Sequence, residues 1–291
     1  MSTYTLLQEG FEVASSGIRV GIVQFESGKR PEESLERLRR LLEGARIEAD
    51  IILLPEYSNI TPAMPLDVLR SRVSSVEDDS FLHGIRVMAF EYNTAFMAGV
   101  IERGENGCLY SSVVAVSPKD KVRVIYRKRF LFDALGFNES RILCKGDRPL
   151  AVVNVKGVRV GAALCFELRF PEIFRAQALC GAQLISVHAA WYRGDLKEEQ
   201  LMLLARARAN ENTVYIALVN QYGKLFTGRS MLVDPTAVVT HMLGARWEYR
   251  EAPIDLDVLR EAREKLPLLR IISENDVRIE GLPCRLLNDT F

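Results

Sequence analysis

The sequence offers little to a metal, a nucleotide or a polyanion. Its five cysteines (Cys108, Cys144, Cys165, Cys180 and Cys284) are scattered, odd in number and contain no CxxC pair. Neither a disulfide framework nor a zinc site is indicated, and a reducing compartment is the natural inference. A GxxxxGK[ST] loop and a GxGxxG following a strand are both missing, which disfavours nucleotide chemistry. There is no surplus of either charge, since Lys plus Arg and Asp plus Glu both total 38. General binding to nucleic acid or to a membrane surface is therefore not expected. No apolar run approaches the length of a bilayer span, and the first residues lack a basic segment followed by an apolar one. The expected location is cytoplasmic. Internal repeats and low-complexity segments are absent as well.

What is present is globular material. The 291 residues are 48% hydrophobic and 26% charged, enough for a large core. We expect one domain over residues 1–291, with 1–17 as an N-terminal arm and about 266–291 as a C-terminal tail without regular period. Residues 18–25 are β-branched and apolar, as in a strand covered on both faces. Pro31 then starts a helix whose Leu35, Leu38, Leu41, Leu42 and Ala45 recur on one face. A second apolar strand follows over 50–55. This β-α-β opening, with hairpins later on, predicts an α/β protein with mixed sheets and helices outside.

Three apolar β-type runs stop on an ionisable residue. Residues 50–55 deliver Glu56, 122–127 deliver Lys128, and 158–164 deliver Cys165. If these strands share a sheet and a direction, their ends converge on one edge. The three side chains form a chemical set. A thiol attacks as thiolate, a carboxylate can take its proton, and an ammonium favours the anion and later neutralises an oxyanion. That is acyl transfer without histidine, and His188, at the end of a predicted strand, is expected to be packed rather than catalytic.

LLPEYSN around Glu56, YRKRFLFD around Lys128 and CFELRFPE around Cys165 resemble, in that order, the motifs of the nitrilase superfamily of carbon-nitrogen hydrolases. The resemblance also covers 205–221 and 228–235. It implies a four-layer α-β-β-α sandwich, homodimers or larger homo-oligomers, and catalysis by Glu56, Lys128 and Cys165 with neither metal nor organic cofactor. Phe130 departs from the pattern, which often has histidine there. The resemblance also implies a second glutamate in the loop 133–146, best matched by Glu139, and an oxyanion donor in the Phe166 N–H. Glu167, Arg169 and Glu172 would brace the turn by salt links. Trp191 and Tyr192 are expected in the pocket wall, and Arg193 could meet an acidic substrate tail. CFELRFPE is nearest to members that act on small linear amides with water, of the ω-amidase and deaminated-glutathione amidase kind. Nitrile or N-carbamoyl substrates share the same three residues, and a non-catalytic scaffold of the same fold is the alternative from another class.

Overall fold

Ile51–Leu54 is buried at every residue, yet its side chains enter two different cores. Ile51 and Leu53 pack between two sheets, whereas Ile52 and Leu54 pack under helices. That alternation is the period of two of a strand covered on both faces. The computed structural model describes residues 17–119, 122–275 and 279–291, so the expected arm, Gly17 apart, lies outside the described residues.

The first part of the chain runs β1 (Gly17–Gln24), α1 (Pro31–Leu42), β2 (Ile51–Leu54), α2 (Leu66–Arg72), α3 (Ser80–Tyr92), β3 (Ala95–Arg103), β4 (Leu109–Val116) and β5 (Val122–Arg127). The second part runs β6 (Leu150–Val155), β7 (Val158–Leu164), α4 (Pro171–Leu179), β8 (Leu184–Ala189), α5 (Lys197–Asn212), β9 (Tyr215–Asn220), β10 (Met231–Val233) and β11 (Val239–Met242). It closes with β12 (Glu248–Asp255), α6 (Leu256–Lys265), α7 (Leu268–Glu274) and β13 (Cys284–Thr290).

These strands form a six-stranded sheet, β12-β1-β2-β3-β4-β5, and a seven-stranded sheet, β11-β10-β9-β8-β7-β6-β13. The sheets face each other through an apolar core that joins Val20, Ile22 and Met97 to Val160, Ala162 and Leu218. Leu38 and Leu42 of α1 and Phe81 and Leu82 of α3 cover the outer face of the first sheet. Ile173 and Phe174 of α4 and Leu201 and Ala205 of α5 cover the second. The four-layer α-β-β-α sandwich is the observed architecture.

Two expectations are corrected. The segment read as a tail contains α7 and β13, and β13 pairs in parallel with β6 at the sheet edge. Its sequence, CRLLNDT, mixes polar and apolar residues without the alternation of a half-buried strand. The second correction is a disulfide between Cys108 and Cys144, whose Cα atoms lie 5.9 Å apart across 36 positions of sequence. Cys108 ends the β3–β4 turn and Cys144 lies in the loop after β5, so only the folded chain brings them together. A paired Cys108 and Cys144 remove the ground for expecting a reducing compartment. Among the described residues, no helix is long and apolar enough to cross a membrane.

Candidate active site

Glu56, Lys128 and Cys165 do meet, but not along one sheet. β2 and β5 share the six-stranded sheet, whereas β7 belongs to the seven-stranded one. β2 is parallel to β3, β3 is antiparallel to β4, and β4 is antiparallel to β5. β2 and β5 therefore run the same way and present Glu56 and Lys128 at one edge. Cys165 arrives from the facing sheet, so the site lies in the seam between the layers.

Each side chain is held by its local backbone. After β2, Tyr57 takes φ +60° and the Ser58 N–H donates to Gly99 O at 2.7 Å. A Cβ at Gly99 would lie 2.6 Å from the Glu56 Cα, so this crossing needs glycine. The Gln221 amide donates to Glu56 O at 2.7 Å and accepts from Ser27 N at 3.1 Å. The Lys128 N–H continues the β4–β5 ladder to Ser111 O at 2.8 Å, and Lys128 O accepts from Gly146 N at 2.7 Å. Cys165 takes φ +39° between β7 and a short helical turn. For a residue with a side chain that is the strained left-handed region, and it projects the thiol out of the sheet.

The cluster is charged and buried. Lys128 Nζ lies 2.9 Å from Glu56 Oε1 and 2.9 Å from Glu139 Oε1. Ser111 Oγ donates to Glu56 Oε1 at 3.0 Å, while Glu139 accepts from the Tyr57 hydroxyl and, at 2.6 Å, from the Phe132 N–H. Burial would push the Lys128 ammonium toward neutrality, but the Glu139 and Glu56 carboxylates outweigh it and hold the charge more firmly than usual. Burial raises Glu56 above the usual carboxylate range; Lys128 opposes that rise and Glu139 adds to it. The Cys165 thiol is pushed well up, by burial first and then by Glu56, while Lys128 and the Ala190 N–H favour the thiolate. The thiol therefore needs an acceptor at hand, and a Glu56 made more basic by burial is chemically suited to be one.

The cleft around this cluster has about 390 Å3 of empty space, mouth included. Tyr57, Phe132, Phe166, Trp191 and Tyr192 wall it, and Arg169 and Lys197 stand among its lining residues. Arg169 lies 4.8 Å above the Trp191 ring and donates to Gln200 Oε1 at 2.9 Å. The Lys197 ammonium lies 5.5 Å from the Trp191 ring and 5.9 Å from that of Phe132. Among the described residues neither cation has a carboxylate partner. Burial, and then Arg169 beside it, lowers the Lys197 pKa.

Of the residues predicted from sequence, Glu139, Phe166, Trp191 and Tyr192 all line this cleft with the three central ones. Arg193 does not; its guanidinium donates to Gly223 O at 3.0 Å and lies over Tyr222. The expected salt links around the turn are also absent among the described residues. Glu172 is exposed, Arg169 faces the cleft, and buried Glu167 accepts hydrogen bonds instead. His188 is packed as expected, with Nδ1 2.6 Å from Leu54 O and Nε2 3.0 Å from Ser186 Oγ. Phe130, in the position that often holds histidine, stacks on Phe170 with centroids 4.1 Å apart. Sequence reasoning missed Ser111, Lys197 and the placing role of Gln221. Only Gln221 carried a signal, as the last residue of the stretch 205–221.

The carbon-nitrogen hydrolase family model matches residues 19–264. A Mycobacterium tuberculosis hydrolase is 32% identical over 270 residues, 87% of this chain and 95% of its own length. An omega-amidase of Xenopus tropicalis is 29% identical over 266 residues, 87% of this chain and 94% of its own. Among solved structures, a CN-hydrolase superfamily protein from Xanthomonas campestris superposes with a TM-score of 0.79 at 23% identity. That match covers 91% of this chain and 99% of the other, and it shows the shared fold.

Proposed function

The chain belongs to the carbon-nitrogen hydrolase family, and on that premise we propose that it hydrolyses a small linear amide whose acyl chain ends in a carboxylate. Glu56 takes the Cys165 proton as the sulfur attacks the amide carbonyl. Lys128 and the Phe166 N–H hold the tetrahedral oxyanion. Glu56 passes that proton to the amide nitrogen, the C–N bond breaks, ammonia leaves, and an acyl thioester remains on Cys165 beside the regenerated carboxylate. Glu56 then removes a proton from water, which cleaves the thioester to the carboxylic acid and the free thiol. Glu139 fixes the Lys128 ammonium and the Tyr57 hydroxyl against this centre. The reaction so written consumes only amide and water.

The observation that carries the choice of substrate is the pair of cations, Arg169 and Lys197, in the cleft that Cys165 also lines. Two positive groups that have no carboxylate partner among the described residues are suited to an anionic substrate end. The name of one relative, omega-amidase, agrees with that reading. The test compares a four-carbon ω-amido acid with the uncharged amide of the same length, in wild type, Arg169→Met and Lys197→Met. Losing a charge-assisted hydrogen bond should raise KM for the acid by roughly 10- to 100-fold and leave the neutral amide within about threefold. Equal effects on both substrates would sink the proposed carboxylate site.

A further inference from the structure

Glu167 is wholly buried two residues past Cys165 and forms no ion pair among the described residues. Its carboxylate instead collects four donors, one from β5, two from the segment that follows it and one from β7. Oε1 accepts from the Tyr126 hydroxyl at 2.6 Å, from Arg129 N at 2.8 Å and from Phe130 N at 3.2 Å. Oε2 accepts from Leu164 N at 2.9 Å. Tyr126, Arg129 and Phe130 bracket Lys128, and Leu164 immediately precedes Cys165. One rigid carboxylate thus spans the junction between the strand that carries the ammonium and the strained turn that carries the thiol. A buried carboxylate with this many donors is costly to desolvate, and burial raises the group to about 7. Core packing alone would be served as well by an apolar side chain of the same size.

We propose that Glu167 is a positioning residue that sets the distance between Lys128 and Cys165 by clamping both backbones to one carboxylate. The inference rests on the reading above, in which those two side chains act together. Its chemical signature is the need for two acceptor oxygens. Glutamine has the same shape but one acceptor, so whichever way it is placed, an N–H faces an NH2 group. With the oxygen turned to its three donors, the Leu164 N–H loses its partner and the turn at Cys165 is released.

The experiment is Glu167→Gln on the full chain, with active sites counted by stoichiometric alkylation. The four-carbon ω-amido acid gives kcat and KM, and iodoacetamide reports the Cys165 alkylation rate across pH. A misplacement on the order of 1 Å should lower kcat per active site roughly 100-fold with KM within about threefold. Cys165 alkylation near pH 7 should slow by about tenfold as the thiol leaves the ammonium. Unchanged kcat and unchanged alkylation in a folded variant would overturn the inference. If the wild type hydrolyses no amide, the functional reading falls, and the alkylation rates still decide the role of Glu167. Should Glu167→Gln fail to fold, Tyr126→Phe decides: it keeps the packing and removes one donor. A kcat or alkylation rate lowered roughly fivefold or more supports the clamp, and wild-type values overturn it.

Discussion

Two carboxylates share one ammonium in this site, and they do not play the same part. Glu56 ends a buried strand and bonds Lys128 and Ser111, whereas Glu139 comes from a loop and bonds Lys128, Tyr57 and the Phe132 N–H. Because burial and then Glu139's charge raise Glu56 against the pull of Lys128, the acid limb of kcat/KM should lie above 4.5, the ordinary glutamate value. Glu139→Gln removes a negative neighbour, so Glu56 should ionise more readily and the limb should move to lower pH, while kcat falls. A pH profile of the variant checks the sign, and a limb that rises would contradict it. Glu56 and Cys165 were legible because each ends an apolar run, where an ionisable group is out of place, whereas Lys128, set among Arg123, Arg127 and Arg129, was singled out by the motif it resembles. Ser111 and Lys197 were not, because a serine within a strand and a lysine at a helix start look like any others.

At the scale of elements, most strands and helices were legible from period and punctuation. The assignment of strands to sheets was not. β2, β5 and β7 have the same local signature, and nothing in that signature says that β7 belongs to the facing sheet. His188 is one of the ties across the seam, running from β8 to Leu54 O on β2. Burial lowers its pKa from 6.5 to about 4. A depressed folded pKa means that the unfolded chain binds the proton first. The stability associated with the neutral ring is therefore present above pH 6.5 and is lost as pH falls toward 4, by up to about 3 kcal/mol. His188→Gln lacks this titration. Urea midpoints at pH 8 and pH 4.5 should converge for wild type and variant, and a constant difference would count against the tie.

Over the whole molecule, the disulfide is the feature that the sequence concealed most fully. Cysteines 36 positions apart, without a spacing motif, carry no pairing information until the β3–β4 turn and the loop after β5 are adjacent in space. The bond lies five residues beyond Glu139 and next to β4, which carries Ser111, so it anchors the loop of the second carboxylate. Closing that span should stabilise the fold by roughly 3–4 kcal/mol, or about 5–10 °C in Tm for a chain of this size. Reductant should lower the wild-type Tm by that amount and leave a Cys108→Ser, Cys144→Ser variant unmoved. A wild-type Tm that ignores reductant would count against the bond. The central claim, that a thiol in the seam between two sheets cleaves an amide, is tested most directly by ammonia release from a four-carbon ω-amido acid. Wild type should release ammonia in step with acid, and Cys165→Ala should release none above the buffer blank. Equal release by both proteins, or none by the wild type, would contradict it.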